Sequence, residues 1–149
     1  MTFTNTTEFP AAPRLDRVRV LVVDDEEDAR ELSVMILAQA GAKTLTADSV
    51  AKAMFMLAAL PSEQYPEVVI SDLSMPDEDG YSLIRQLRQL SPECGGRIPV
   101  IALTAFGRME DRIRVLGAGF KTHLTKPVEA EELVTVIASL VTRQAGHIN

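Results

Sequence analysis

Five polar residues stand at the ends of apolar runs, and their side chains are of kinds that together can move a phosphoryl group. Asp24 and Asp25 close the run Val18 to Val23, and Asp72 closes the one that begins Val68, Val69, Ile70. Thr104 follows Ile98 to Leu103, and Lys126 follows Phe120 to Leu124. Each has an ordinary explanation alone. An Asp pair before a helix caps it and favours its dipole. Asp72 suits a turn that also holds Pro76 and Gly80. Thr104 could satisfy loop backbone, and Lys126 before Pro127 could simply be solvated. Their joint placement points instead to one site.

Three carboxylates on one rim repel. Two unit charges ~4 Å apart cost about 4 kcal/mol at an effective dielectric near 20, so an uncompensated cluster raises at least one pKa. A hard divalent cation relieves this. Mg²⁺ suits one or two direct carboxylates, a carbonyl, several waters and a phosphoryl oxygen. Lys126 adds a compact cation on a flexible stem, and Thr104 adds a hydroxyl donor. Phosphoryl transfer needs in-line positioning and neutralisation of the equatorial oxygens. A carboxylate oxygen is then a competent nucleophile, forming an acyl phosphate.

Alternating strands and helices must position these groups. Strands are expected at Val18 to Val23, Lys43 to Thr46, Val68 to Ile70 with Asp72 at its end, Ile98 to Leu103 and Phe120 to Leu124. The first helix is expected over Glu26 to Ala40, with Ala29, Leu32, Ile36 and Ala40 on one face and Gly41 closing it. Asp48 is the expected N-cap of a second helix, which Pro61 ends. A third carries Leu83, Ile84, Leu87 and Leu90. The fourth, Gly107 to Leu116, is expected to turn Met109, Ile113 and Leu116 inward. The last spans Glu129 to Thr142, with Leu133, Val136, Ile137 and Leu140 apolar. Apolar strands alternating with helices imply a doubly wound α/β fold, a parallel sheet covered on both faces. In such sheets function collects at the carboxyl ends of the strands.

Bulk properties narrow the classes. The 149 residues suffice for one domain. Residues 1–16 and 143–149 read as tails around a domain at 17–142. With 15 basic against 21 acidic residues and a net charge of −6, direct nucleic-acid binding is disfavoured. The lone Cys94 forms no internal disulfide and fits a reducing compartment. No run reaches the ~18 apolar residues of a membrane span, so a soluble, cytoplasmic protein without membrane insertion is expected. A dinucleotide-binding G-x-G-x-x-G, a Gly-Lys-Ser/Thr phosphate loop and a G-x-S-x-G elbow are all missing, and only His123 and His147 could serve zinc chemistry.

The segments VLVVDDEEDAR, VVISDLSMPDEDG, VIALTAF and HLTKPV, in this order, resemble the receiver domains of two-component response regulators over about residues 17–142. The longer stretch TAFGRMEDRIRVLGAGFKTHLTKPV is similar to receivers attached to hybrid sensor histidine kinases. Residues 1–16 would then be the end of a linker; a free-standing regulator is the rival. The resemblance implies a flavodoxin-like (βα)5 sheet of order 2-1-3-4-5. It also implies that Asp72 is the phosphoacceptor, Asp25 a direct Mg²⁺ ligand, Asp24 a ligand through water, and the Ser74 backbone carbonyl a further ligand. Thr104 would be the switch hydroxyl and Lys126 the phosphate-contacting lysine, with Lys126–Pro127 cis. His123 stands where many members carry Tyr or Phe; it is either a switch residue or a half-exposed strand residue without that role. Ser74 and Phe106 would tune hydrolysis. Implied partners are a sensor histidine kinase or a histidine phosphotransfer protein, and a second copy through the fourth helix, fifth strand and fifth helix. The domain would be a signalling phosphoacceptor, not an enzyme. Three rivals remain at this point: a degenerate docking receiver, an aspartyl-phosphate phosphatase, which needs an acid where Ser74 stands, and a flavin-binding protein of similar architecture.

Overall fold

The computed structural model describes residues 13–105 and 109–148, except the side chains of Glu110 and of 142–148. Five parallel strands form one sheet: β1 Arg19–Val23, β2 Lys43–Ala47, β3 Val68–Asp72, β4 Val100–Thr104 and β5 Thr122–Thr125, in the order β2-β1-β3-β4-β5. Five helices alternate with them: α1 Glu27–Gln39, α2 Val50–Ala59, α3 Gly80–Arg88, α4 Met109–Ala118 and α5 Ala130–Ile148. This is the expected doubly wound, flavodoxin-like arrangement. None of the helices among the described residues is long and apolar enough to cross a membrane.

The three central strands are apolar on both faces because both faces are covered. Val20, Val22, Val68, Ile70, Ile101 and Leu103 point into one core with Ile36 and Leu37 of α1 and Leu133 and Ile137 of α5. Leu21, Val23, Val69, Val100 and Ala102 point into the other, with Leu57 of α2, Leu83 and Leu87 of α3, and Val115 of α4. The side-chain period of two along each strand divides the residues between the cores.

Local chemistry sets the helix ends. Gly41 follows α1 at φ 95°, a left-handed conformation that glycine adopts without strain. Ser49, not the expected Asp48, caps α2 by accepting from the Lys52 N–H at 3.1 Å. Leu60 is extended before Pro61, as a residue preceding proline must be. Asp79 caps α3 through the Ser82 N–H at 3.0 Å.

Three expectations need correction. Met109, Ile113 and Leu116 do not face inward; they are 69%, 68% and 55% exposed, and Val115 is the buried residue of α4. Their spacing identifies one face of a helix, but the sheet covers a different one. The expected N-terminal tail does not extend to residue 16. Leu15 is 1% exposed, its N–H donates to the Ala40 carbonyl at 2.8 Å, and Arg14 donates to the Gln39 carbonyl at 3.1 Å. At the other end α5 continues past Thr142 to Ile148.

Candidate functional site

The acidic pair lies where β1 runs out of the sheet. Asp24 is fully buried, and Asp25 beside it is exposed. Asp24 organises its own surroundings. Its Oδ1 accepts from the Glu26 N–H at 3.0 Å, and its carbonyl accepts from Arg30 Nη1 at 2.8 Å. That pins the start of α1 to the end of β1. Asp72 ends β3 and is 4% exposed. Its Oδ1 accepts from the Ser74 N–H at 3.2 Å, and its carbonyl accepts from the Ser71 hydroxyl at 3.0 Å.

Lys126, in the loop after β5, closes the group. Its Nζ lies 3.0 Å from Asp24 Oδ2, 3.0 Å from Glu26 Oε1 and 3.3 Å from Asp72 Oδ2. The Lys126 N–H is held by the Thr104 carbonyl at 2.8 Å, which ties the loop to the end of β4. The Lys126–Pro127 peptide is cis, as expected. Thr104 is 7% exposed at that strand end. Strand alternation puts His123, which pairs with Ala102, on the same sheet face as Thr104. His123 is half-buried. Phe106 lies outside the described residues.

Charge and burial set the electrostatics. Burial pushes the Asp72 carboxyl up to about 6, and Asp24 adds to the shift; Lys126 and the Ser74 N–H act against it. Burial also works against the Lys126 ammonium. The close approach of Asp24 and Glu26 and the charges of Asp24 and Asp72 outweigh it, so the lysine is held above its usual range.

The acids also fit a metal ion. Carboxylate oxygens of Asp24, Asp25 and Asp72 lie within 4.8 Å of one another. Asp24 Oδ2 is buried, and although Lys126 is close, it takes no aligned hydrogen bond. An all-oxygen donor set with one such unsatisfied carboxylate oxygen suits a hard divalent cation.

One contact escaped the sequence reading, and one glycine has a role beyond the turn expected of it. Glu26 reaches Lys126 from 100 positions away, and no local signal marks that contact. Gly80 matters for space. A Cβ there would stand 2.6 Å from the Asp72 carbonyl oxygen, so α3 can start this close to the site only with glycine. The glycine that ends the segment VVISDLSMPDEDG is the available signal. An apolar groove of about 430 Å³, lined by Ala29, Leu32, Leu103, Lys126, Pro127 and Val128 among others, opens beside the cluster.

Comparison with known proteins agrees with this geometry. The response regulator receiver domain pattern matches residues 20–138. An uncharacterized 14.6 kDa protein of Leptolyngbya boryana is 38% identical over 123 residues, 83% of this chain and 89% of that one. Hybrid signal transduction histidine kinase D of Dictyostelium discoideum is 33% identical over 137 residues, which is 91% of this chain but 9% of that protein. The solved receiver domain of the Francisella response regulator 1452 matches with a TM-score of 0.75 at 29% identity, covering 86% of this chain and 99% of that one. Five parallel strands in the order 2-1-3-4-5, an aspartate cluster with a lysine at their carboxyl ends, and these relatives together show that the chain belongs to the response regulator receiver domain family.

Proposed function

We propose that the protein is the phosphoacceptor of a two-component phosphorelay, taking a phosphoryl group on Asp72 from a phosphohistidine donor. The observation that carries this reading is the Lys126 ammonium 3.3 Å from Asp72 and 3.0 Å from Asp24 at one rim of the sheet. The donor is a sensor histidine kinase or a histidine phosphotransfer protein. The groove beside Lys126 is apolar and adjoins the acids, which suits a docked helix carrying the histidine.

Asp24, Asp25, Asp72 and the backbone carbonyl of Ser74 would hold Mg²⁺. When bound, this ion neutralises the acids and the phosphoryl oxygens. The chain does the rest. An Asp72 carboxylate oxygen attacks phosphorus in line. The new O–P bond forms as the P–N bond to the donor imidazole breaks, and its electron pair stays on that nitrogen. Lys126 neutralises the equatorial oxygens. Asp72 is raised to about 6 without metal, so neutral pH keeps most of it ionised as a nucleophile.

Thr104 is the switch hydroxyl, and His123 on the same sheet face follows it. Moving a switch from 1:99 to 99:1 needs about 5.5 kcal/mol of differential interaction. A dianionic group making charge-assisted hydrogen bonds to Lys126 and Thr104 supplies interaction of that kind. The output surface is α4, β5 and α5, where a second copy can bind. Hydrolysis by water resets the state.

Intact mass after acetyl phosphate with Mg²⁺ tests the reading. Wild type gains one phosphoryl mass, the gain fails in excess EDTA, and Asp72→Asn gains none. Phosphoryl mass on Asp72→Asn, or none on wild type, rejects it.

A further inference from the structure

The ammonium of Lys126 has three N–H donors and no acceptor. Three carboxylates surround it: Asp24 and Glu26 at 3.0 Å and Asp72 at 3.3 Å. Its charge is already met by these acids before any ligand arrives. An anion that is to be held by Lys126 must therefore compete with them. They are not equally easy to displace. The side chain of Asp24 is 0% exposed and that of Asp72 is 6% exposed, whereas that of Glu26 is 66% exposed. An exposed carboxylate regains its hydration on release, and a buried one does not. Glu26 is also the acid whose carboxylate accepts an aligned hydrogen bond from the ammonium. Its backbone is fixed by Asp24 Oδ1 at the cap of α1, so the carboxylate stays within reach.

We propose that Glu26 is a latch on Lys126: a positioning residue that holds the ammonium in the unphosphorylated protein and must release it before Lys126 can contact the phosphoryl oxygens. The proposal rests on the phosphoacceptor reading above. Glu26 makes and breaks no covalent bond. With acetyl phosphate as donor, an Asp72 oxygen bonds to phosphorus, the bond from phosphorus to the acetyl oxygen breaks, and acetate leaves with the electron pair. The latch contact exists in the ground state and is lost on the way to the transition state. Removing it therefore lowers the barrier.

The experiment compares phosphorylation rates by intact mass in wild type, Glu26→Gln and Glu27→Gln across acetyl phosphate concentrations with saturating Mg²⁺. Glu27 is the neighbouring exposed acid in the first turn of α1, so its variant removes the same charge without the contact. Glu26→Gln is expected to react about two- to fivefold faster, the size of one exposed charge pair. The gain should lie in the maximal rate rather than in the half-saturating donor concentration, and Glu27→Gln should match wild type. Equal acceleration in both variants means a general field effect and overturns the latch. A slower or unchanged Glu26→Gln overturns it as well, since Glu26 would then orient Lys126 or do nothing. These outcomes leave the phosphoacceptor reading intact. A wild type that gains no phosphoryl mass removes that reading and the latch together.

Discussion

Asp72 concentrates the chemistry and the cost of the site in one side chain. It is buried near another acid, and a single lysine shared with two other carboxylates offsets only part of that. Its folded pKa of about 6 stands above the ordinary 3.8. A raised carboxyl pKa adds stability below about pH 4, and this is lost as pH rises through about 6. In metal-free buffer Asp72→Asn should thus be more stable than wild type at pH 7, by about 3 kcal/mol at most. The gap should shrink to near zero at pH 4. Urea unfolding in EDTA at the two pH values measures it. A wild type as stable as the variant at pH 7 would show that Lys126 compensates the buried charge fully.

The elements do two jobs: they fill the two cores and they deliver side chains to one rim. β1 and β3 bring acids, β4 a hydroxyl, and the loop after β5 the lysine. The short segment before β1 also belongs to this scaffold. Leu15 sits in the core under α1 and α5, with its backbone tied to the end of α1. Leu15→Ala should therefore destabilise the domain by about 2–4 kcal/mol, the cost of emptying a buried leucine site. Chemical denaturation gives the number, and a loss under about 0.5 kcal/mol would mean the segment is only loosely laid on. On α4, the row Met109, Ile113 and Leu116 shows how an apolar stripe can exist without a core beneath it.

At the scale of the whole molecule, that row is an apolar surface on an otherwise acidic protein of net charge −6. If α4, β5 and α5 carry output through a second copy, Ile113→Glu should abolish self-association of the phosphorylated protein while leaving phosphorylation of Asp72 unchanged. Sedimentation velocity with and without acetyl phosphate decides this, and a variant that still dimerises would move the output surface elsewhere. The strand assignments and the convergence of Asp24, Asp25, Asp72 and Lys126 were legible in the residues, because a strand buried on both faces carries an uninterrupted apolar run and its polar end then stands out; the order of the sheet came only from the family resemblance. Element ends were less legible: Ser49 displaced Asp48 as a cap, and α5 ran past Thr142. Three facts came only from the folded chain. These are the solvent-facing side of α4, the burial of Leu15, and the contact of Glu26 with a lysine 100 positions away. Each depends on which surface another element covers or reaches, and local spacing carries no information about the partner.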